Sequence, residues 1–353
     1  MRRAGGAGTL APMRALRFLG PGKVQLVSVP DPDPGPGEVV LRVHATGLCN
    51  SDVRVFLGEK RAAPGVIPGH EFTGEVVAAG PGAEVEPGAV VAVCPILACG
   101  RCSFCRRGFR NRCPERRTLG YDLDGGLAEF VRLPAPLVAL GHLLPVDPRV
   151  PPERRAFVEP LACVLHSARR LAFGAGVAVA IVGGGPMGLV HLLVAQRTGC
   201  GPTLVVEPLP ERREVAAALG ADAVATPDEA VEVAKELTRG LGFPAVAVAV
   251  GSEGGAELGL RLAARMGRVN LFAGFAPGTA LTLDLNRVHY DEVALFGTQN
   301  APIGRYEEAA EIVGRMPELE QVITHRFRLE EAETAYAARL ERRGLKSAVL
   351  MLD

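Results

Sequence analysis

Residues 181–193 read IVGGGPMGLVHLL, and the reading of this stretch decides the fold. Gly183, Gly185 and Gly188 stand at G-x-G-x-x-G spacing, with Pro186 and Met187 between the last two. In a chain with 43 glycines that spacing also arises by accident, so the context carries the inference. An apolar run, Val177–Val182, precedes the glycines and an apolar helical pattern follows them. In such a strand–turn–helix unit the first glycine permits the tight turn, and the second lets backbone approach a pyrophosphate. The third lets helix pack on strand, and the helix amides face the phosphate charge. Working outward, further strands are predicted at Thr203–Glu207, Ala221–Ala225, Ala245–Val250, Arg268–Phe272 and Val293–Phe296, with helical stretches between most of them. Runs such as AVAIV and AVAVAV are apolar on both faces, as a parallel sheet covered by helices on two sides requires. The expectation is an α/β, doubly wound parallel (Rossmann) sheet holding a dinucleotide. Glu207 ends the second strand, where a carboxylate suits ribose hydroxyls and repels a 2′-phosphate, so NAD is expected over NADP. Arg212, expected near the adenine end, pulls the other way.

The rest of the chain is of another texture. At 353 residues it suits two domains. From Met13 to about Val158 it is rich in Gly, Pro and short β-branched runs, which predicts a partly barrel-like β domain. The expected division is an extension over 1–12, a β domain over 13–158 with 301–353 packing back onto it, and the dinucleotide domain over 159–300. Thirty-nine Lys+Arg cancel 39 Asp+Glu, which argues against a nucleic-acid binder. With 48% apolar and 22% charged residues the chain is globular, and no apolar run reaches the roughly 20 residues of a membrane helix. Only 4 of the basic residues are Lys, a composition that reads as coding bias. The first dozen residues lack the apolar stretch of a secretory signal, so a cytoplasmic location is expected.

Five of the eight cysteines lie between Cys94 and Cys113. Cys99, Cys102, Cys105 and Cys113 give C-x2-C-x2-C-x7-C, four thiolates able to close a tetrahedron around a structural zinc. An iron–sulfur cluster is the chemical rival, but its last gap is three residues and here it is seven. The seven arginines of this lobe read as a solvated surface offsetting thiolate charge. Cys94, Cys163 and Cys200 are expected to be buried packing residues. A second donor set comes from distant segments: Cys49 in GLCNSD, His70 and Glu71 in PGHEFTG, and Glu159 in FVEPLAC. One thiolate, one imidazole and one or two carboxylates make a zinc site that can keep a position open for chemistry.

With these motifs in hand the chain resembles the zinc-dependent medium-chain alcohol dehydrogenases over nearly all of residues 13–353. Glu159 in EPL makes it similar to the polyol (sorbitol) and threonine dehydrogenase branch. The resemblance implies a GroES-like catalytic β domain and two zinc ions per chain. The catalytic zinc would be held by Cys49 and His70 with Glu71 or Glu159. It further implies hydride transfer between a polar secondary alcohol (polyol, cyclitol, amino alcohol or diol) and NAD, giving a ketone, in a homodimer or homotetramer. Ser51 stands where the family places its relay hydroxyl, and Asp52 is placed to accept a hydrogen bond from His70. Arg54 occupies the position of a histidine that passes the proton on in many relatives, and arginine stays charged. Two other readings compete: a zinc-independent reductase of the same fold, and a non-catalytic zinc-stabilised nucleotide-binding protein.

Overall fold

The computed structural model describes residues 12–351, so the extension expected over residues 1–12 lies, Pro12 apart, outside the described residues. Two compact units form, with boundaries after Glu159 and after Val322.

In the second unit six strands make one parallel sheet. In spatial order they run Ala223–Ala225, Thr203–Val206, Val179–Val182, Phe243–Val248, Ala263–Leu271 and Ala294–Gly297. The first strand in sequence thus lies between the second and the fourth. This is the point where strand order reverses and a doubly wound sheet opens a crevice at its carboxyl edge. Val179–Val182 and the facing Ala245–Val248 are buried throughout, which is why alternation was absent from their sequence. The strand expected over Ala245–Val250 ends at Val248, because the Ala249 amide turns to the Val182 carbonyl at 2.8 Å.

The first unit is built on a seven-stranded sheet. Its central strand, Val39–Leu48, pairs antiparallel with Glu71–Ala79 on one side and Lys346–Leu350 on the other. Val39, Leu41, Val43, Phe72, Val76 and Val91 pack into one of its cores. The chain returns to this sheet only at Ile323, where Ile323–Arg328 pairs parallel with Lys346–Leu350. This corrects the expectation that all of 301–353 would pack there. Residues 301–322 stay with the dinucleotide unit, where Tyr306, Ala309, Val313, Met316 and Leu319 are buried and Leu319–Val322 packs on the helix Pro186–Arg197. Cys94 is buried as expected, whereas Cys163 and Cys200 are half-buried; the Cys200 sulfur accepts from the Gly174 amide at 3.2 Å, so it serves as a polar acceptor as well as filling space.

A buried polar chain crosses the second unit. Asn270 Nδ2 donates to Ser167 Oγ at 2.6 Å, and Ser167 Oγ pairs with His191 Nε2 at 2.8 Å. His191 Nδ1 donates to the Met187 carbonyl at 2.7 Å. The Met187 carbonyl can only accept, so Nδ1 carries a proton, and burial favours the neutral ring with Nε2 accepting from Ser167. Desolvation lowers its pKa from 6.5 to about 4. Because the folded value lies below the unfolded one, His191 contributes its full stability above about pH 6.5 and loses it as the pH falls toward about 4. Wild type should therefore lose about 2 kcal/mol more than His191→Gln between pH 7 and pH 5 in denaturant unfolding. Parallel losses in the two proteins would remove His191 as the cause.

Candidate active site and metal centres

The register of the central strand pair creates the first site. Gly47 lies opposite Glu71, so the chain leaving Leu48 and the chain entering at His70 meet at one end of the sheet. Cys49 then caps the helix Asn50–Phe56. The donor atoms of Cys49, His70 and Glu71 all lie within 4.8 Å of one another. Asp52, 1% exposed, ties two of these residues together. One oxygen accepts from the Cys49 amide at 2.9 Å and the other from His70 Nδ1 at 3.2 Å. Burial alone would raise the Asp52 carboxyl, but the charge and hydrogen bond of His70 and the Cys49 amide hold it below its ordinary value. For His70 burial works downward, and the Asp52 carboxylate outweighs it, carrying the pKa well above 6.5. With Nδ1–H committed to Asp52, Nε2 is the nitrogen left to bind a metal.

Glu71 has a partner that sequence reasoning missed. Its Oε2 is ion-paired with Lys346 Nζ, and the two side chains are 1% and 5% exposed. A Cβ on Gly47 would fall on Glu71 Oε2, so the glycine leaves the space through which Lys346 reaches across the sheet. Glu159 is buried in the first turn of the helix Val158–Leu171, but it does not join the group of atoms within 4.8 Å. Its charge is near enough to act on Tyr121 and Lys60. Ser51 Oγ lies 2.6 Å from the Tyr121 hydroxyl, which in turn lies 3.0 Å from His70 Nδ1 and 3.4 Å from Nε2. Tyr121 was also missed, since nothing in the spacing of a residue 51 positions beyond His70 marks it. Arg54, in the same helix, is ion-paired with Glu59.

The four cysteines of the lobe converge separately, with all donor atoms within 4.8 Å. The Cys99 and Cys105 sulfurs are 4.0 Å apart, against an edge of about 3.8 Å for a tetrahedron with zinc–sulfur bonds of about 2.3 Å. Amides of Cys99, Cys102 and Cys105 point at the Cys113, Cys99 and Cys102 sulfurs. Backbone amides of Arg101 and Cys102 pull the Cys99 thiol down to about 7, while burial pushes Cys105 up to about 12, a penalty that a central dication would remove. The lobe arginines are surface groups in part: Arg101 pairs with Glu115, and Arg110 Nη1 donates to the Leu140 carbonyl at 2.8 Å.

In the second unit the fingerprint has the geometry of a phosphate loop. Gly183 has φ +106°, and a Cβ at Gly188 would land on the Gly183 carbonyl oxygen. A Cβ at Gly185 would project into space where the nearest atom is Arg212 Nη1 at 3.8 Å, so this is the cradle a pyrophosphate would fill. Gly185 caps the helix Pro186–Arg197, with Pro186 at its first position. Glu207, 4% exposed, accepts from the Gly184 amide at 2.8 Å and from Leu209 at 3.2 Å.

Residues 35–142 match the alcohol dehydrogenase GroES-like domain family, and 186–315 match the zinc-binding dehydrogenase family. The chain is 33% identical to L-threonine 3-dehydrogenase of Pyrococcus horikoshii over 86% of its own length and 88% of the relative's. It belongs to the zinc-dependent medium-chain alcohol dehydrogenases. Within that family it is also 30% identical to sorbitol dehydrogenase of Halalkalibacterium halodurans, over 95% of this chain and 97% of that one. Among solved structures, a zinc-binding dehydrogenase-type protein of Sinorhizobium meliloti 1021, bound to NADP, superposes with a TM-score of 0.90 at 29% identity, covering 97% and 100% of the two chains. An alcohol dehydrogenase of Thermus sp. ATN1 gives 0.87 at 28% identity, covering 96% and 100%. This medium-chain dehydrogenase is thus a zinc- and nicotinamide-dependent oxidoreductase of secondary alcohols, in the polyol and threonine branch. No helix among the described residues is long and apolar enough to cross a membrane. Metal analysis should find two zinc ions per wild-type chain and one in Cys105→Ser; a variant that keeps both would show that the lobe does not need its fourth thiolate.

Proposed function

We propose that the enzyme oxidises a polar secondary alcohol (a polyol, cyclitol, amino alcohol or diol) to a ketone with NAD, using Cys49, His70 and a carboxylate to hold the catalytic zinc. The observation that carries this reading is the cluster in which Asp52 binds both the Cys49 amide and His70 Nδ1 beside the Ser51 hydroxyl. Three donors from Cys49, His70 and Glu71 leave a tetrahedral position open, as a catalytic rather than a structural site does. When bound, zinc supplies Lewis acidity toward an alcohol oxygen and the nicotinamide supplies a hydride acceptor. Glu71 enters that donor set at the expense of its ion pair with Lys346, and Glu159 is the alternative carboxylate.

The chain's own residues handle the proton. Ser51 Oγ is held by the Tyr121 hydroxyl at 2.6 Å, which orients it to accept the proton of the reacting hydroxyl while giving up its own. Arg54 stays protonated and is engaged by Glu59, so the proton leaves by water and cofactor ribose hydroxyls. In the second unit Gly183, Gly185, Pro186, Met187 and Gly188 cradle the pyrophosphate, with Arg212 beside it. Glu207, held in place by the Gly184 amide, binds the ribose hydroxyls and disfavours a 2′-phosphate.

A panel of polyols, cyclitols, amino alcohols and diols, followed by NADH absorbance, tests the reaction. Ser51→Ala should oxidise the best of them at least about tenfold more slowly with unchanged zinc content; equal turnover would take Ser51 out of the proton path. Wild type should use NAD in preference to NADP, and Glu207→Ala should shrink that preference by about tenfold or more. Indifference of the wild type to the 2′-phosphate would overturn the role given to Glu207.

A further inference from the structure

Lys60 is a cation that the proton path and the zinc donors leave unused. It follows the helix Asn50–Phe56 in a turn where the amides of Glu59 and Lys60 both donate to the Arg54 carbonyl, at 2.8 and 3.1 Å. Its ammonium lies 3.5 Å from the centroid of the Tyr121 ring, the ring whose hydroxyl holds Ser51 and touches His70. Among the described residues this ring face is its one close partner, with neither ion pair nor hydrogen bond to the ammonium. The adjacent acid, Glu59, is taken by Arg54.

The charges that act on Lys60 do not provide a lasting counter-ion. Burial lowers its pKa, while the Cys49 thiolate and the Asp52 and Glu159 carboxylates act upward and Arg116 downward. Asp52 is already committed to His70 and the Cys49 amide. Cys49 and Glu159 are donors proposed for zinc, whose two positive charges would offset theirs. With the Asp52 carboxylate set against the half-buried Lys60 and Arg116, one positive charge would then remain in excess, at a place partly shielded from water where a missing counter-charge has a cost. A cation–π contact replaces little of what a charged partner supplies. Two of the four lysines in a chain otherwise supplied with arginine, Lys60 and Lys346, lie at this site. A compact ammonium on a flexible stem suits a place where the partner arrives and leaves.

We propose that Lys60 receives an anionic substituent, a carboxylate or a phosphate, on the secondary alcohol that this enzyme oxidises. The inference rests on the dehydrogenase reading above and narrows its substrate class. Because one phenol ring carries Ser51 at its hydroxyl and Lys60 on its face, the anion belongs on the same small molecule as the reacting hydroxyl and close to it.

Matched pairs test this. Wild type, Lys60→Gln and Lys60→Arg are assayed with NAD on 3-hydroxybutanoate against butane-1,3-diol, and on glycerol 3-phosphate against glycerol. In at least one pair wild type should favour the anion at least tenfold in kcat/KM, which also tells carboxylate from phosphate. Lys60→Gln should lower that ratio at least tenfold and Lys60→Arg should restore most of it. A wild type that uses neutral and anionic partners alike, or a Lys60→Gln that lowers both equally, overturns the proposal. Calorimetric titration of the zinc-loaded proteins with butanoate and with inorganic phosphate, without NAD, provides a second readout. Binding should be at least fivefold weaker in Lys60→Gln, and equal binding counts against Lys60. If none of the four alcohols turns over, the dehydrogenase reading fails for this class, and the titration still decides whether Lys60 takes an anion.

Discussion

Asp52 is a carboxylate with almost no access to water, and both of its oxygens are spent on two members of the candidate metal-donor set. One fixes the backbone of Cys49 and the other fixes the tautomer of His70. A thiolate from a helix cap and an imidazole from a strand entrance are thereby held in one orientation before any metal arrives. Removing the carboxylate would leave a buried imidazole and an unpaired amide, so the site and the local fold share one interaction. The sheet supplies what Asp52 cannot: the pairing of Gly47 with Glu71 sets the distance between the two segments it bridges.

Around this clasp the charges are arranged in buried groups rather than on the surface. Glu71 is matched by Lys346 from the last strand, and His70 by Asp52. Tyr121 joins the hydroxyl of Ser51 to the imidazole and presents its face to Lys60. A dication added here would find donors already in place and would change the balance for every remaining charge. Glu71 in this structure is committed to Lys346, and a cation taking the carboxylate would have to compete with that ammonium.

The glycine fingerprint and the six apolar strands were legible because their signals are local. A turn at φ +106°, a helix that must touch a carbonyl, and central strands buried on both faces, such as Val179–Val182, each leave a mark within a few residues. The four-cysteine lobe was legible for the same reason, its ligands lying close together in sequence. The candidate donor set of Cys49, His70, Glu71 and Glu159 was read from residue types in distant segments, and the family resemblance sharpened it, since single residues of these types carry little weight. The place of residues 301–322 was misjudged because a lone helix has no local feature that names the core covering its apolar face.

What the amino-acid order determined by itself was the doubly wound sheet, the phosphate turn and the thiolate cage, all set by short-range geometry and by the period of burial. Only the tertiary structure decided that Lys346 neutralises Glu71, that Tyr121 carries Ser51, and that Lys60 lies on the same ring. Those contacts join residues 61 to 275 positions apart, and long-range pairing is set by strand register and core packing, which no local spacing records.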